Sequence, residues 1–353
     1  MKRTTIKDVA EAAGVGVATV SRVLSGGSAS HETRERVLAV AAHLDYRPSA
    51  LGRNLRQQRT GGIGLLVPDL TDTLYGKLAE GVLACARSAG EPVVVGSTGD
   101  DPEQEAELIG MLLEQSVDRV IAVPSGDAEA WGPAIRAGMT VVFVGEQPEQ
   151  EPADDPLDEL LLLDGVRTPP RAEGPVPTVL ADIPTVLADD RSGVRTAVQY
   201  LKGLGHRRIA YLGGPGHPRR VAAFRQALGP LADEELIVFA GGSRDSAYAA
   251  ASGLLQSHRD VTALLAGGSA LGEAAVLASR ELGLRIPGDL SLVMYDDVPW
   301  AELCSPPLTV IAQPGQDLGY RAAELVLRAG ARRPRGVLLP TELIVRGSCG
   351  PRP

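Results

Sequence analysis

The chain is 353 residues long, 44% apolar and acidic overall, with a formal net charge of −9. That length supports at least two cores beyond a small head. The sequence opens on no basic-then-apolar leader and holds no apolar run of about 18 residues, which speaks against export and membrane spanning.

The charge is uneven. Residues 1–60 hold ten Lys/Arg against five Asp/Glu, and the remainder holds 25 against 39. A polyanion should therefore meet the N-terminal segment alone. Within that segment, TTIKDVAEAAGVGVATVSRVL (4–24) predicts two short helices around a glycine turn. Thr5 suits an N-cap and Asp8 completes a capping-box pattern, while Gly14 ends the first helix. The second helix starts near Gly16–Val17. It sets Val20, Val23 and Leu24 on one face and Val17, Ala18, Ser21 and Arg22 on the other. A small, polar, arginine-bearing face suits the DNA major groove, whereas an ordinary helical hairpin is the bland alternative. Ser30 suits the cap of a third helix over HETRERVLAVAAHLDY, with Val37, Val40, Ala41 and Leu44 covering the first two. Arg22 has the fork that pairs with guanine, and Val17 and Ala18 are small enough to meet thymine methyls. Thr19, Ser21 and the amides that open the second helix suit phosphates.

From residue 61 strands and helices alternate. GIGLLVPD, PVVVGSTGD, DRVIAVPSG and TVVFVGE are strands separated by helical stretches, and the rhythm restarts at PTVLADDRSG. RRIAYLGG, ELIVFAGG, VTALLAGG and LSLVMYDD are the strands of the second round. Two such rounds imply an α/β architecture of two doubly wound lobes with mainly parallel sheets and a ligand cleft between them. An enzyme is not expected. Gly213–Gly216 lacks the spacing of a phosphate loop, no catalytic or metal-ligand cluster is visible, and no cofactor is implied. Cys85, Cys304 and Cys349 read as reduced structural thiols, and His206 as a turn residue before a strand.

The segments TIKDVAEAAGV, ATVSRVL, LDYRPSALGRNLR, IGLLVPDL, LGHRRIAYLGG, LRIPGDLSLVMYDD and SPPLTVIAQP resemble, in order and spacing, the lac-repressor (LacI) family of transcription regulators. The resemblance implies a helix-turn-helix head (1–47), a hinge (48–60) and a core similar to periplasmic sugar-binding proteins. The core's N-lobe would span 61–187 and 314–337, and its C-lobe 188–313 and 338–353. It further implies a cytoplasmic homodimer that represses from a pseudo-palindromic double-stranded operator, with a small-molecule effector between the lobes. Thr5, Gly16, Val17, Ala18, Thr19, Ser21, Arg22 and Ser30 would contact DNA. Gly16 stands where the family has a capping serine. Leu51, Arg53 and Leu55 belong to the hinge, where Leu55 matches a minor-groove wedge and Gly52 replaces alanine.

Leu74, Tyr75, Ser125, Asp190, Arg220, Phe224 and Asp296 are the corresponding effector-binding candidates. An arginine–aspartate pair suits polyols or carboxylates, while a structural ion pair between Arg220 and Asp296–Asp297 competes with that reading. The cleft departs from the family where Ala266-Gly267-Gly268-Ser269 replaces an Asn-Asp pair, and where Gly145 and Glu146 replace an aspartate. The alternatives are a regulator with a degenerate, ligand-free cleft, or a solute-binding protein. A second departure is the acidic, proline-rich insertion 147–183, expected as a solvated loop in which LDELLLLDG could form a short helix. PTVLAD occurs twice, at Pro177–Asp182 and Pro184–Asp189, and the second copy, followed by DDRSG, is expected to enter the sheet.

Overall fold

A computed structural model describes residues 4–24, 27–46, 62–125, 128–145, 161–163, 166–168, 183–214, 217–328 and 336–352. Residues 1–61 and 62–353 form separate compact units. The first is built on helices α1 (Ile6–Ala13), α2 (Val17–Leu24) and α3 (His31–His43). Asp8 Oδ2 accepts from both the backbone N–H and the hydroxyl of Thr5 at 2.7 Å, closing the capping box. Gly14 sits at φ 63°, and bonds from Gly14 N–H to Glu11 O and from Val15 N–H to Ala10 O complete a Schellman turn. Val9, Ala10, Ala13, Val20, Val23, Val37 and Ala41 form the buried centre. Leu24, Val40 and Leu44 pack against it half-buried.

The second unit holds two sheets. The first contains β1 (Ile63–Val67), β2 (Val93–Ser97), β3 (Arg119–Ala122), β4 (Thr140–Val144), β5 (Leu161–Leu163), β6 (Val166–Thr168), β7 (Thr185–Ala188) and β13 (Gly336–Leu339). Its order is β2-β1-β3-β4-β7-β13-β6-β5, parallel from β2 to β13. The second contains β8 (Ile209–Gly213), β9 (Ile237–Phe239), β10 (Ala263–Ala266), β11 (Ser291–Tyr295), β12 (Thr309–Ala312) and β14 (Glu342–Ile344). Its order is β14-β12-β11-β10-β8-β9, parallel except where β14 runs against β12. The main helices are α4 (Thr73–Ser88), α5 (Pro102–Glu114), α6 (Gly132–Arg136), α7 (Asp190–Gly203), α8 (Pro218–Leu228), α9 (Arg244–Ser257), α10 (Ser269–Glu281), α11 (Pro299–Leu303) and α12 (Gly315–Leu327).

The chain passes between the sheets after β7, after β12 and after β13. Helix α12 therefore returns to the first lobe, where it crosses α4 at backbone contact. A Cβ on Gly81 would meet Gln316 O at 1.9 Å, and one on Gly319 would meet Leu78 O at 1.9 Å. Only glycine permits that approach.

The second PTVLAD copy supplies β7 and pairs with β4 and β13, whereas the first lies outside the described residues. Of LDELLLLDG, where a helix was expected, only Leu161–Leu163 lies among the described residues, and it is not helical. Leu161–Leu163 is a strand paired with Val166–Thr168, and Leu338 pairs with Arg167. A run of consecutive leucines has no single polar face for a helix to expose, while a strand caps the open edge of β13.

Candidate functional site

In the head, Val20 and Val23 turn inward. Ala18 and Arg22 are exposed on the opposite side of α2, and Val17, Thr19 and Ser21 are half-buried between the two faces. Gly16 is exposed, and its carbonyl accepts from Thr19 and Val20 N–H, so it serves as the N-cap without a side chain. Ser30 Oγ accepts from Thr33 N–H at 3.3 Å and so caps α3. Thr5 is exposed at the start of α1. Leu51, Arg53 and Leu55 lie outside the described residues.

In the core, the candidates follow the carboxyl ends of parallel strands, where open α/β sheets hold their ligands. Leu74 and Tyr75 follow β1, Ser125 follows β3, Asp190 follows β7, Arg220 opens α8 after β8, and Asp296 follows β11. Arg220 is 3% exposed and tied on three sides. Its Nε donates to Asp190 Oδ2 at 2.8 Å, its Nη1 donates to Gly267 O at 2.8 Å, and its guanidinium carbon lies 3.9 Å from the Tyr295 ring centre. Tyr295 Oη donates to Asp190 Oδ1 at 3.0 Å, so the same carboxylate holds both side chains. Burial opposes the charge on Arg220, but Asp190, Tyr295 and Asp296 outweigh it and hold the group protonated. The competing ion pair with Asp296–Asp297 takes a different form, since Arg220 pairs with Asp190 and Asp297 pairs with Arg346 at 2.8 Å.

Asp296 adopts a left-handed φ of 72° and accepts from Gln313 Nε2 at 2.6 Å. Burial raises its pKa above the ordinary carboxylate value, with Arg220 pulling the other way. Burial also raises Asp72, the N-cap of α4, whose Oδ1 accepts from Leu74 N–H at 2.7 Å. Burial and then Asp72 push the Tyr75 phenol up, and Arg220 and then burial hold His217 well below its usual value. The cleft thus carries acceptor carboxylates beside an arginine that is already engaged. That combination suits hydroxyl donors.

Two candidates take supporting roles. Phe224 is fully buried in the core, its ring 5.0 Å from that of Tyr211, so it backs the wall and presents no surface. It lies on the buried stripe Val221–Phe224–Leu228, which faces the sheet. Ser125 belongs to a network that sequence reasoning missed. Its Oγ is 2.6 Å from Thr98 Oγ1, its N–H donates to Glu105 Oε2 at 2.7 Å, and Trp131 Nε1 donates to Glu105 Oε1 at 3.0 Å. The available signal was an acid on the apolar stripe Glu105–Ile109–Leu112 of α5. Gly267 and Gly268 differ in their space. A Cβ on Gly267 would meet Tyr211 Oη at 2.5 Å, whereas nothing lies within 4 Å of one on Gly268. No cluster of three or more His, Cys, Asp or Glu able to hold a metal occurs among the described residues. No described helix is long and apolar enough to cross a membrane.

Residues 5–49 match the family model for bacterial regulatory proteins of the lacI family, and residues 198–349 match a periplasmic binding protein-like domain. The HTH-type transcriptional regulator DegA of Bacillus subtilis is 32% identical, covering 99% of each chain. The chain belongs to the lacI family. The ribose operon repressor of Halalkalibacterium halodurans is 30% identical, covering 97% of this chain and 96% of its own. Among solved structures, the lac repressor dimer bound to operator and the anti-inducer ONPF is 25% identical with a TM-score of 0.79, covering 99% of this chain and all of that one. The transcriptional regulator CelR–cellobiose complex is 30% identical with a TM-score of 0.67, covering 98% and 100%. This lacI-family chain is accordingly a DNA-binding transcription regulator of the repressor type, with a helix-turn-helix region and a periplasmic-binding-protein-like core, and not an enzyme.

Proposed function

We propose that this regulator represses transcription in the cytoplasm as a homodimer, each head (1–47) reading one half-site of a pseudo-palindromic operator. The observation that carries this reading is the exposed Ala18–Arg22 face of α2 on a cationic head. Arg22 pairs with a guanine edge, while Val17 and Ala18 permit close approach to thymine methyls. Thr5, Thr19, Ser21, Ser30 and the amides beginning at Gly16 hold phosphates and fix the register. In the hinge (48–60), Leu51, Arg53 and Leu55 enter the central minor groove. A second copy would cover the edge strand β2, whose Val94 and Val95 are exposed, together with exposed Leu83 on α4. The matched lac repressor structure, a dimer bound to operator, supports the dimeric reading.

The cleft takes a polyhydroxy effector through Tyr75, Ser125, Asp190, Arg220 and Asp296, with Leu74 as an apolar flank and Phe224 behind the wall. The CelR–cellobiose complex supports this class of ligand. A second reading, regulation without an effector, is favoured by Gly267, where Tyr211 leaves no room for a ligand-binding side chain.

Genome-wide footprinting would identify the operator. Deletion of residues 1–60 should then abolish its binding, and equal affinity for the truncated chain would refute the assigned head. A panel of mono- and disaccharides separates the two readings of the cleft. Raised melting temperature with altered operator affinity supports an effector, and no response in either measurement supports the ligand-free form.

A further inference from the structure

The turn after β11 is held from both lobes. Lys77, on α4 of the first lobe, donates from Nζ to Asp297 O of the second at 2.9 Å, 220 positions away in the chain. Arg346 binds the Asp297 carboxylate through Nη2 at 2.8 Å and donates from Nη1 to Leu308 O at 3.0 Å. On the neighbouring residue, Gln313 Nε2 donates to Asp296 Oδ1 at 2.6 Å from the segment that returns to the first lobe. The stem of Lys77 lies against that same segment, since a Cβ on Gly315 would sit 3.0 Å from Lys77 Cβ. Asp296 keeps its left-handed φ of 72° inside this frame. A non-glycine residue holds such a conformation only where its surroundings over-determine it.

We propose that Lys77, Gln313 and Arg346 form a latch on the Asp296–Asp297 turn, in which Lys77 positions Asp296 and sets how readily the two lobes part. The bond is a charged donor on a neutral carbonyl, made only while α4 of the first lobe and the turn of the second are together. Opening the cleft removes the first lobe's grip and leaves that of Arg346 in place. The conformation of Asp296 is therefore coupled to lobe separation through one peptide group. The latch needs no ligand, so it stands or falls independently of any effector.

Hydrogen exchange on the full-length chain tests it, comparing the native protein with K77M, K77R and G315A. K77M should accelerate exchange of amides 296–298 and 313–318 at least about tenfold, as expected for one lost charge-assisted bond. Amides in β10 should be unchanged, and K77R should restore the native pattern. G315A, which crowds the Lys77 stem, should reproduce the K77M pattern and serves alone if K77M does not fold. A radius of gyration larger for K77M than for K77R in X-ray scattering would support the latch further. Unchanged exchange in 296–298, or uniform acceleration that includes β10, would overturn it.

Discussion

Two arginines show how differently the head and the core use the same side chain. Arg22 stands exposed on α2, whereas Arg220 is 3% exposed and bound to Asp190, Gly267 and Tyr295. A head that reads an external polyanion keeps its cation at the surface, where desolvation is deferred until binding. A cleft that must hold its shape fixes its cation in advance. Arg220 therefore organises the wall as much as it offers donors to a ligand.

The sharpest break of this comparison is charge removal. Arg220→Met leaves Asp190 buried without its cation and should destabilise the core by about 3–5 kcal/mol in guanidinium unfolding. Arg22→Ala should leave that unfolding curve unchanged. Its loss should appear instead as about 1–3 kcal/mol of discrimination between operator and random DNA, read by fluorescence anisotropy at fixed salt. If both variants shift stability equally, the contrast between the two sites is wrong.

Smaller effects probe the wall behind Arg220. Gly267→Ala would drive a methyl into Tyr211 and should cost about 1–3 kcal/mol of thermal stability. Gly268→Ser, one position on, meets open space at the N-cap of α10 and should be neutral or stabilise by about a few tenths of a kcal/mol.

Acid should weaken the core through His206. This residue lies in the turn before β8, as expected, and is also buried. It is 2% exposed, with Nε2 facing Gly350 O at 3.1 Å and Nδ1 facing Thr262 Oγ1 at 2.9 Å. Burial lowers its pKa, so the unfolded chain takes up a proton first. Its stabilising share is complete above about pH 6.5 and falls as the pH drops below that value. His206→Gln should flatten the decline in guanidinium midpoint between about pH 7.5 and 5.5.

The head was legible in sequence because its rules are local. A cap, a glycine turn and two apolar spacings name Thr5, Gly14, Val20 and Val23 without reference to anything distant. Strands β1–β4 and β7–β11 were legible for a similar reason, as apolar runs, whereas β5, β6 and β12–β14 were not named as strands. The ties that shape the cleft were not. Asp190 and Tyr295 are 105 positions apart, Arg220 and Gly267 are 47 apart, and only the folded sheets bring them together. Tyr295 and Lys77 carried no periodic signal of their own. Glu105 did, as a carboxylate on an apolar stripe, while the resemblance that named Phe224 as an effector candidate did not show that its ring is fully buried.

The glycine crossing of α4 and α12 bears on how the chain is made. Helix α4 and strands β1–β4 leave the ribosome early, yet their partners α12 and β13 are encoded after β8–β12, five of the six strands of the second sheet. The first lobe must wait, incomplete and with apolar surface uncovered, until residue 339 emerges. The lobe that is begun first is thus finished only after most of the other has been made, so a chain stalled before α12 exposes the lobe that was translated first.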